Sequence, residues 1–286
     1  MRVAFAGLGV MGFPMAGHLA RAGHEMAVFN RSPEKARRWA ETFPGRACAT
    51  AGEAAEGAEV LVLCVGNDDD VRQVAGEALP RMAPGGIVVD HTTTSAVVAR
   101  EMAALAAEGG RAFVDAPVSG GQAGAENGQL TIMCGGDAPA FARVEPVIGA
   151  YAKATRLMGP AGAGQLTKMV NQICIAGVVQ GLAEGLHFAR RAGLDPQAVY
   201  EAISKGAAQS WQMDNRWKSM SEGRFDFGFA VDWMRKDLGL LLDESRRNGA
   251  RLDMTAMVDG FYAEVQAMGG ARWDTSSLLA RLEKAQ

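Results

Sequence analysis

Six residues near the start of the chain constrain its fold more than any others. Gly7-Leu8-Gly9-Val10-Met11-Gly12 follows directly on an apolar run at residues 3–6. It precedes a helically patterned stretch at 13–22, with Met15, Leu19 and Ala22 on one side. A second apolar run, 26–29, comes after Gly23. Strand, glycine turn, helix and strand within roughly 30 residues make a βαβ unit. In such a turn the first glycine permits the tight bend, the second lets a pyrophosphate approach the backbone, and the third lets helix and strand pack closely. The helix start then offers N–H groups and a partial positive charge to that phosphate. The placement predicts a dinucleotide-binding turn rather than a ligand-free glycine loop.

The alternation continues. Apolar runs at 59–65, 87–90, 112–114 and 131–134 read as strands, and 33–42, 70–82, 95–108 and 138–150 read as helices. This order predicts an α/β fold with a Rossmann-type, doubly wound parallel sheet. The pattern changes after Gly159-Pro160. From 164 to about 191 the chain lacks proline and reads as one long helix, apolar at Leu166, Met169, Val170, Ile173, Val178 and Leu182. Residues 195–205, 210–221, 230–248, 252–268 and 275–284 also read as helices. The expected organisation is a dinucleotide-binding domain at 1–161 and an all-helical domain at 162–286 for substrate and oligomerisation. The long helix would join them. A length of 286 residues accommodates two domains.

Composition narrows the class. The chain is 48% hydrophobic and 21% charged, which excludes a mostly disordered polymer. Its net charge of −3 gives no electrostatic reason to expect nucleic acid or an anionic membrane as partner. Cys48, Cys64, Cys134 and Cys174 form no CxxC pair and read as reduced, buried thiols. His18, His24, His91 and His187 are too scattered for a zinc site, so no metal is expected. No run of consecutive apolar residues approaches the roughly 20 of a membrane span. The expected location is the cytoplasm.

Ligands of open α/β sheets bind beyond the carboxyl ends of the strands. Val65-Gly66-Asn67, Asp90-His91-Thr92-Thr93 and Asp115-Ala116-Pro117 fall there. At the end of the second strand an acidic residue ordinarily binds the ribose 2′-OH of NAD. This chain has Asn30-Arg31-Ser32, with Lys35 nearby. No carboxylate repels a 2′-phosphate, and Arg31 suits adenine stacking and phosphate pairing. NADP is therefore favoured over NAD, although Asn30 can also bind a bare ribose. Asp68-Asp69-Asp70 reads as helix capping and dipole compensation rather than a metal site.

Four ordered motifs carry a resemblance. The glycine fingerprint running on into Phe13-Pro14-Met15-Ala16, then Asp115-Ala-Pro-Val-Ser-Gly-Gly, Gly162-Ala-Gly-Gln-Leu-Thr-Lys168-Met-Val-Asn171-Gln and Lys236-Asp-Leu, closely resemble the β-hydroxyacid dehydrogenases over nearly the whole chain. The branch it most resembles is that of 3-hydroxyisobutyrate dehydrogenase. The resemblance implies reversible oxidation of a short 3-hydroxy acid to an aldehyde acid, using NAD or NADP without metal, in a homodimer or homotetramer. Among site residues it implies Lys168 as catalytic lysine and Asn171 as the residue orienting substrate. Ser119, Gly120 and Gly121 would hold the substrate carboxylate, Thr92 and Thr93 would lie near the nicotinamide, and Lys236 would close over the cofactor. Gln172 stands where many relatives have a second asparagine.

The chemistry is consistent with those roles. Hydride transfer leaves a hydroxyl proton to be managed, and an acid–base group must reach that oxygen. Lys168 can donate it in reduction. In oxidation it must first be neutral, a state that burial favours. Lys168, Asn171 and Gln172 are spaced i, i+3 and i+4 and so share a helix face. Ser119-Gly120-Gly121 can offer N–H groups and a hydroxyl to an anion. Lys236 either serves the site or pairs with Asp232 four residues earlier. Trp211, at an expected helix start, reads as a pocket wall limiting substrate size, with Phe229 and Asp232 as weaker pocket candidates. Candidate substrates are 3-hydroxyisobutyrate, 3-hydroxypropionate, L-serine and glycerate in the tartronate-semialdehyde direction. The alternatives are a non-catalytic NAD(P)-binding module and an imine or aldehyde reductase on the same scaffold.

Overall fold

The computed structural model describes residues 1–284. The chain packs as two compact units, the first Met1–Lys168 and the second from Met169 onward.

The first unit is built on one sheet. Its strands are β1 (Arg2–Ala6), β2 (Glu25–Phe29), β3 (Arg46–Ala47), β4 (Val60–Leu63), β5 (Ile87–Asp90), β6 (Ala112–Asp115), β7 (Val118–Ser119), β8 (Leu130–Gly135) and β9 (Ala152–Gly159). The spatial order is β3-β2-β1-β4-β5-β6-β8-β7, and β9 pairs with β8. From β3 to β6 every pairing is parallel, as the alternation predicts. At the far side β8 runs antiparallel to β6 and β7, so the complete sheet is mixed.

Helices cover both faces of the sheet, which is why its central strands are continuous apolar runs. Val3 and Phe5 point into a core with Met15, Leu19 and Trp39. Ala4 and Ala6 point into the opposite core with Leu61, Leu63, Val71 and Phe113. Register then sets the functional edge. Phe29 lies opposite Ala6, Ala6 opposite Leu63, Leu63 opposite Asp90, and Asp90 opposite Asp115. The residues after these strand ends therefore form one row of loops along the carboxyl edge.

The helices of this unit are α1 (Gly12–Arg21), α2 (Pro33–Thr42), α3 (Ala51–Ala55), α4 (Asp68–Ala78), α5 (Ala96–Glu108), α6 (Gly121–Glu126) and α7 (Ala138–Ile148). Helix α4 begins two residues earlier than the sequence pattern indicates, because the Asn67 side chain accepts the Asp70 N–H and caps it. The short elements β3, β7, α3 and α6 carry no periodic signal. Strand β9 was also not expected. It lies at an edge and alternates half-buried with exposed, partly basic residues instead of forming an apolar run.

Helix α8 (Ala163–Arg191) is continuous, as expected, and its first six residues belong to the first unit. By length and composition it could cross a membrane, with a mean hydropathy of 1.2 over its most apolar window. The core helix of a soluble protein passes the same test, and the expectation that no run of about 20 consecutive apolar residues occurs still holds, because Lys168, Asn171, Gln172, Gln180 and Glu184 interrupt this helix. The second unit continues with α9 (Pro196–Ile203), α10 (Trp211–Ser221), α11 (Val231–Asn248), α12 (Asp253–Ala267) and α13 (Leu278–Lys284). Met213, Trp217, Met234, Leu238, Tyr262 and Val265 are buried. The starts of α9 and α10 are capped by side chains visible in the sequence. Asp195 accepts from the Gln197 and Ala198 amides, and Ser210 accepts from Met213. The stretch expected as a helix from 275 begins with a single 3₁₀ turn, Thr275–Ser277.

Candidate active site

The glycine turn has the geometry its spacing demands. Gly7 adopts φ +101°, and a Cβ there would lie 2.1 Å from the Cys64 carbonyl oxygen. A Cβ on Gly12 would lie 1.9 Å from the Gly7 carbonyl oxygen. The strand-to-helix turn is thus closed to side chains at both ends. Gly9 faces open space, with nothing within 4 Å of a Cβ built there, so a ligand can reach the backbone. Beside it Val10 is 68% exposed, and the first turn of α1 carries no acidic side chain. Met11 is the residue preceding that helix. An open backbone cradle at a helix start suits a pyrophosphate.

Asn30 braces this turn. Its Oδ1 accepts the Leu8 N–H at 2.8 Å, and its Nδ2 donates to the Ser32 carbonyl at 3.1 Å. Ser32 precedes α2, and its hydroxyl makes no capping bond to that helix. Arg31 extends into solvent, its side chain 86% exposed, and its guanidinium meets Asp70 Oδ1 at 3.2 Å. Asp70 Oδ2 accepts the Gly66 N–H at 3.2 Å. The Val65 N–H donates to Thr92 Oγ1 at 3.0 Å. In the acidic triplet, Asp68 takes the N–H and hydroxyl of Ser95, and Asp69 pairs with Arg72. These are structural bonds between neighbouring loops, and the cap itself is Asn67. Among the described residues no three His, Cys, Asp or Glu side chains converge on a metal position.

Beneath this rim lies a buried polar layer. Asp90 Oδ1 accepts the Thr92 N–H at 2.9 Å, and burial pushes its carboxyl up to about 7. The His91 ring is buried between the Ala116 carbonyl, 2.6 Å from Nδ1, and the Tyr151 hydroxyl, 2.7 Å from Nε2. Burial lowers His91 to about 4, so the ring is neutral, donating from Nδ1 and accepting from Tyr151. Asp115 accepts the Gly162 N–H at 2.7 Å and the Gln165 N–H at 2.9 Å, holding the start of α8 to the end of β6. Burial raises its carboxyl to about 6 against the opposing effect of these amides. The Gln165 side chain accepts the Thr94 N–H and donates to the Thr92 carbonyl.

One turn further along α8, Lys168 is 8% exposed, and its Nζ donates to the Val118 carbonyl at 2.9 Å. This brings the lysine beside the segment it was expected to serve. Ser119 continues β7, and Gly120 and Gly121 follow with φ of +131° and +60°. A cavity of about 350 Å³ opens instead at the amino edge of the sheet, lined by Arg2, His24, Pro44 and Arg46, away from all of these residues.

The second unit holds the other expected residues. Asn171 Nδ2 donates to Gln172 Oε1 at 2.9 Å, and Gln172 Nε2 donates to Asp237 Oδ2 at 2.7 Å. Lys236 Nζ stands 3.4 Å from Asp237 Oδ1, while Asp232 accepts from Gln266. The extra reach of Gln172 thus connects the Asn171 amide to α11. Trp211 opens α10, 58% exposed, with the Arg216 guanidinium 5.1 Å from its ring centre. Phe229 is also exposed, and its N–H donates to Asp274. Sequence reasoning missed Asp237, Gln165 and Asp70. Asp237 stood inside the Lys-Asp-Leu motif, but its value lies in contacts 65 residues away.

A glycine cradle at the carboxyl edge of a parallel sheet, followed by a helix carrying a buried lysine, defines a dinucleotide-dependent oxidoreductase. Comparison with known proteins makes this particular. Residues 2–159 match the family described as the NAD binding domain of 6-phosphogluconate dehydrogenase. Residues 162–282 match that described as NAD-binding of NADP-dependent 3-hydroxyisobutyrate dehydrogenase. The chain is 64% identical to an uncharacterized oxidoreductase of Shewanella frigidimarina, covering 100% of this chain and 99% of the relative. It is 34% identical to 2-hydroxy-3-oxopropionate reductase of Escherichia coli, covering 99% and 97%. The structure of Mycobacterium tuberculosis 3-hydroxyisobutyrate dehydrogenase with L-serine superposes with a TM-score of 0.90 at 32% identity, covering 98% of each chain. The chain belongs to the β-hydroxyacid dehydrogenase family and is an NAD(P)-dependent hydroxyacid dehydrogenase.

Proposed function

We propose that the protein interconverts a short 3-hydroxy acid and its aldehyde acid, with Lys168 as the acid–base group and NADP preferred over NAD. The observation that carries this reading is the buried Lys168 ammonium, 2.9 Å from the Val118 carbonyl and so adjacent to Ser119-Gly120-Gly121. Carboxylate recognition and proton transfer are thereby neighbours. The relatives' substrates support the size class: one is a 2-hydroxy-3-oxopropionate reductase, and one solved structure holds L-serine.

Gly7, Leu8, Gly9, Val10, Met11 and Gly12 would hold the pyrophosphate. Val65, Gly66, Asn67 and Thr93 would line the groove toward the nicotinamide. Arg31 and Ser32 would meet the adenosine ribose, with Lys35 near them. The bound nicotinamide supplies or accepts the hydride. In oxidation, neutral Lys168 Nζ takes the hydroxyl proton as the substrate's C–H bond breaks. In reduction, the ammonium returns a proton to the carbonyl oxygen. Ser119, Gly120 and Gly121 seat the substrate carboxylate. Asn171, oriented by Gln172, directs the substrate hydroxyl. Lys236 completes the cofactor site, and Trp211 limits substrate length. We place the enzyme in the cytoplasm, where its four cysteines would stay reduced, although only Cys48 and Cys134 are buried as expected, Cys64 being half-buried and Cys174 exposed.

The test is absorbance at the reduced-nicotinamide band in alkaline buffer. NAD or NADP is mixed with 3-hydroxyisobutyrate, 3-hydroxypropionate, L-serine or D-glycerate, and Lys168→Ala runs beside the native enzyme. The expected result is turnover on at least one acid, reduced by roughly 10²- to 10⁴-fold in Lys168→Ala, the range for loss of a general acid–base. Cofactor binding without turnover on any acid would sink the reading.

A further inference from the structure

Arg31 is the residue best placed to tell the 2′-phosphate of NADP from the 2′-hydroxyl of NAD, yet its guanidinium already faces an anion. Asp70 Oδ1 lies 3.2 Å away. The two partners differ in freedom. Arg31 is 86% exposed on a flexible stem. Asp70 is fixed: its side chain is 22% exposed, its Oδ2 accepts the Gly66 N–H, and its own N–H donates to Asn67. The arginine can swing toward a ligand, whereas the carboxylate cannot leave. A surface pair of this kind contributes little stability, so orientation of Arg31 is a weak reason for Asp70 to be there. The fixed negative charge remains at the adenosine end whichever cofactor arrives.

We propose that Asp70 is a specificity-determining residue that opposes the 2′-phosphate, holding the enzyme closer to dual NAD and NADP use than Arg31, Ser32 and Lys35 alone would allow. A 2′-phosphate at Arg31 places a second anion beside the Asp70 carboxylate, and the two repel each other directly, with or without the guanidinium between them. A 2′-hydroxyl carries no charge and meets no such opposition. The inference rests on the ribose placement at the end of β2 described above. Repulsion between exposed anions several ångströms apart in water corresponds to roughly three- to tenfold in affinity and is screened by salt. The Asp70→Asn side chain keeps an oxygen for the Gly66 amide, removes the charge, and presents Arg31 with a donor in place of Oδ1.

The test is calorimetric titration with 5′-AMP and 2′,5′-ADP, which differ only in the 2′-phosphate and need no turnover. In Asp70→Asn the preference for 2′,5′-ADP over 5′-AMP should rise roughly three- to tenfold at low salt and shrink at high salt. The affinity for 5′-AMP itself should stay within about twofold, because the change acts on charge. Repeating the substitution in an Arg31→Ala background separates repulsion from orientation: repulsion predicts that the gain persists, orientation that it disappears. An unchanged or reduced preference in Asp70→Asn, or a gain that needs Arg31, overturns the proposal. A native protein that binds neither ligand would overturn the ribose placement and the proposal together. Turnover in the hydroxy-acid assay is a separate readout, so failure of the substrate reading is recognised independently.

Discussion

Asp90 ends β5 fully buried, with one carboxyl oxygen on the Thr92 amide and the other lacking a hydrogen-bond partner among the described residues. Burial first, and then nearby carboxylates including Asp115, raise it to about 7. A carboxyl whose folded-state value lies above its ordinary one binds its proton more tightly in the folded chain. Its contribution to stability is therefore complete below about pH 4 and is lost as pH rises toward 7. Asparagine mimics the neutral acid at every pH. Urea unfolding of Asp90→Asn should match the native protein near pH 4, and by pH 8 exceed it by roughly 2–4 kcal/mol. A gap that does not widen with pH would mean that Asp90 ionises at its ordinary value. At the same scale, the difference between Gly9 and its two partner glycines is instructive. All three occupy the fingerprint, but only Gly9 faces the open cradle, while Gly7 and Gly12 fit against backbone.

Helix α8 ties the position of Lys168 to the carboxyl edge of the sheet. The N–H groups of Gly162, just before it, and of Gln165 bind Asp115, and the Gln165 side chain ties it to the loop after β5. Lys168 follows on the next turn. An Asp115→Asn side chain presents an NH₂ group to amides that need an acceptor, leaving a buried donor unsatisfied at about 1–3 kcal/mol. The loss should be largest near pH 5, below its value of about 6, where the native group still holds its proton, and smaller at pH 8, where ionisation of the buried carboxyl has already cost the native protein stability. Chemical denaturation at both pH values measures this. An equal loss at both would mean that Asp115 ionises at its ordinary value. The helix itself was legible from its length and apolar spacing. Its polar anchors were not, because Asp115 lies 50 residues before Gln165.

At the scale of the whole molecule, the exposed side of α8 carries Val170, Val178 and Phe188. Apolar side chains of this size on one helix are what subunit association ordinarily covers. A homodimer or homotetramer is therefore expected, and light scattering should report a multiple of the 30.1 kDa chain mass. A monomer across the working concentration range would leave that surface to another role.

The residues alone determined the βαβ opening, the parallel part of the sheet, the change to helices near 160, and the lysine and glycines on which the proposed site rests. Glycine spacing and apolar periodicity report local backbone demands, and local demands are written in consecutive residues. The antiparallel turn of β8 and the edge strand β9 were not legible, since short or exposed strands form only when a neighbouring strand accepts their hydrogen bonds. Tertiary structure also decided which partner each polar group took. It set Asn30 on the Leu8 amide, Gln172 on Asp237, and Asp70 against Arg31. Each of those bonds spans 22 to 65 residues. No local pattern encodes them, because they exist only once the strands and helices have packed.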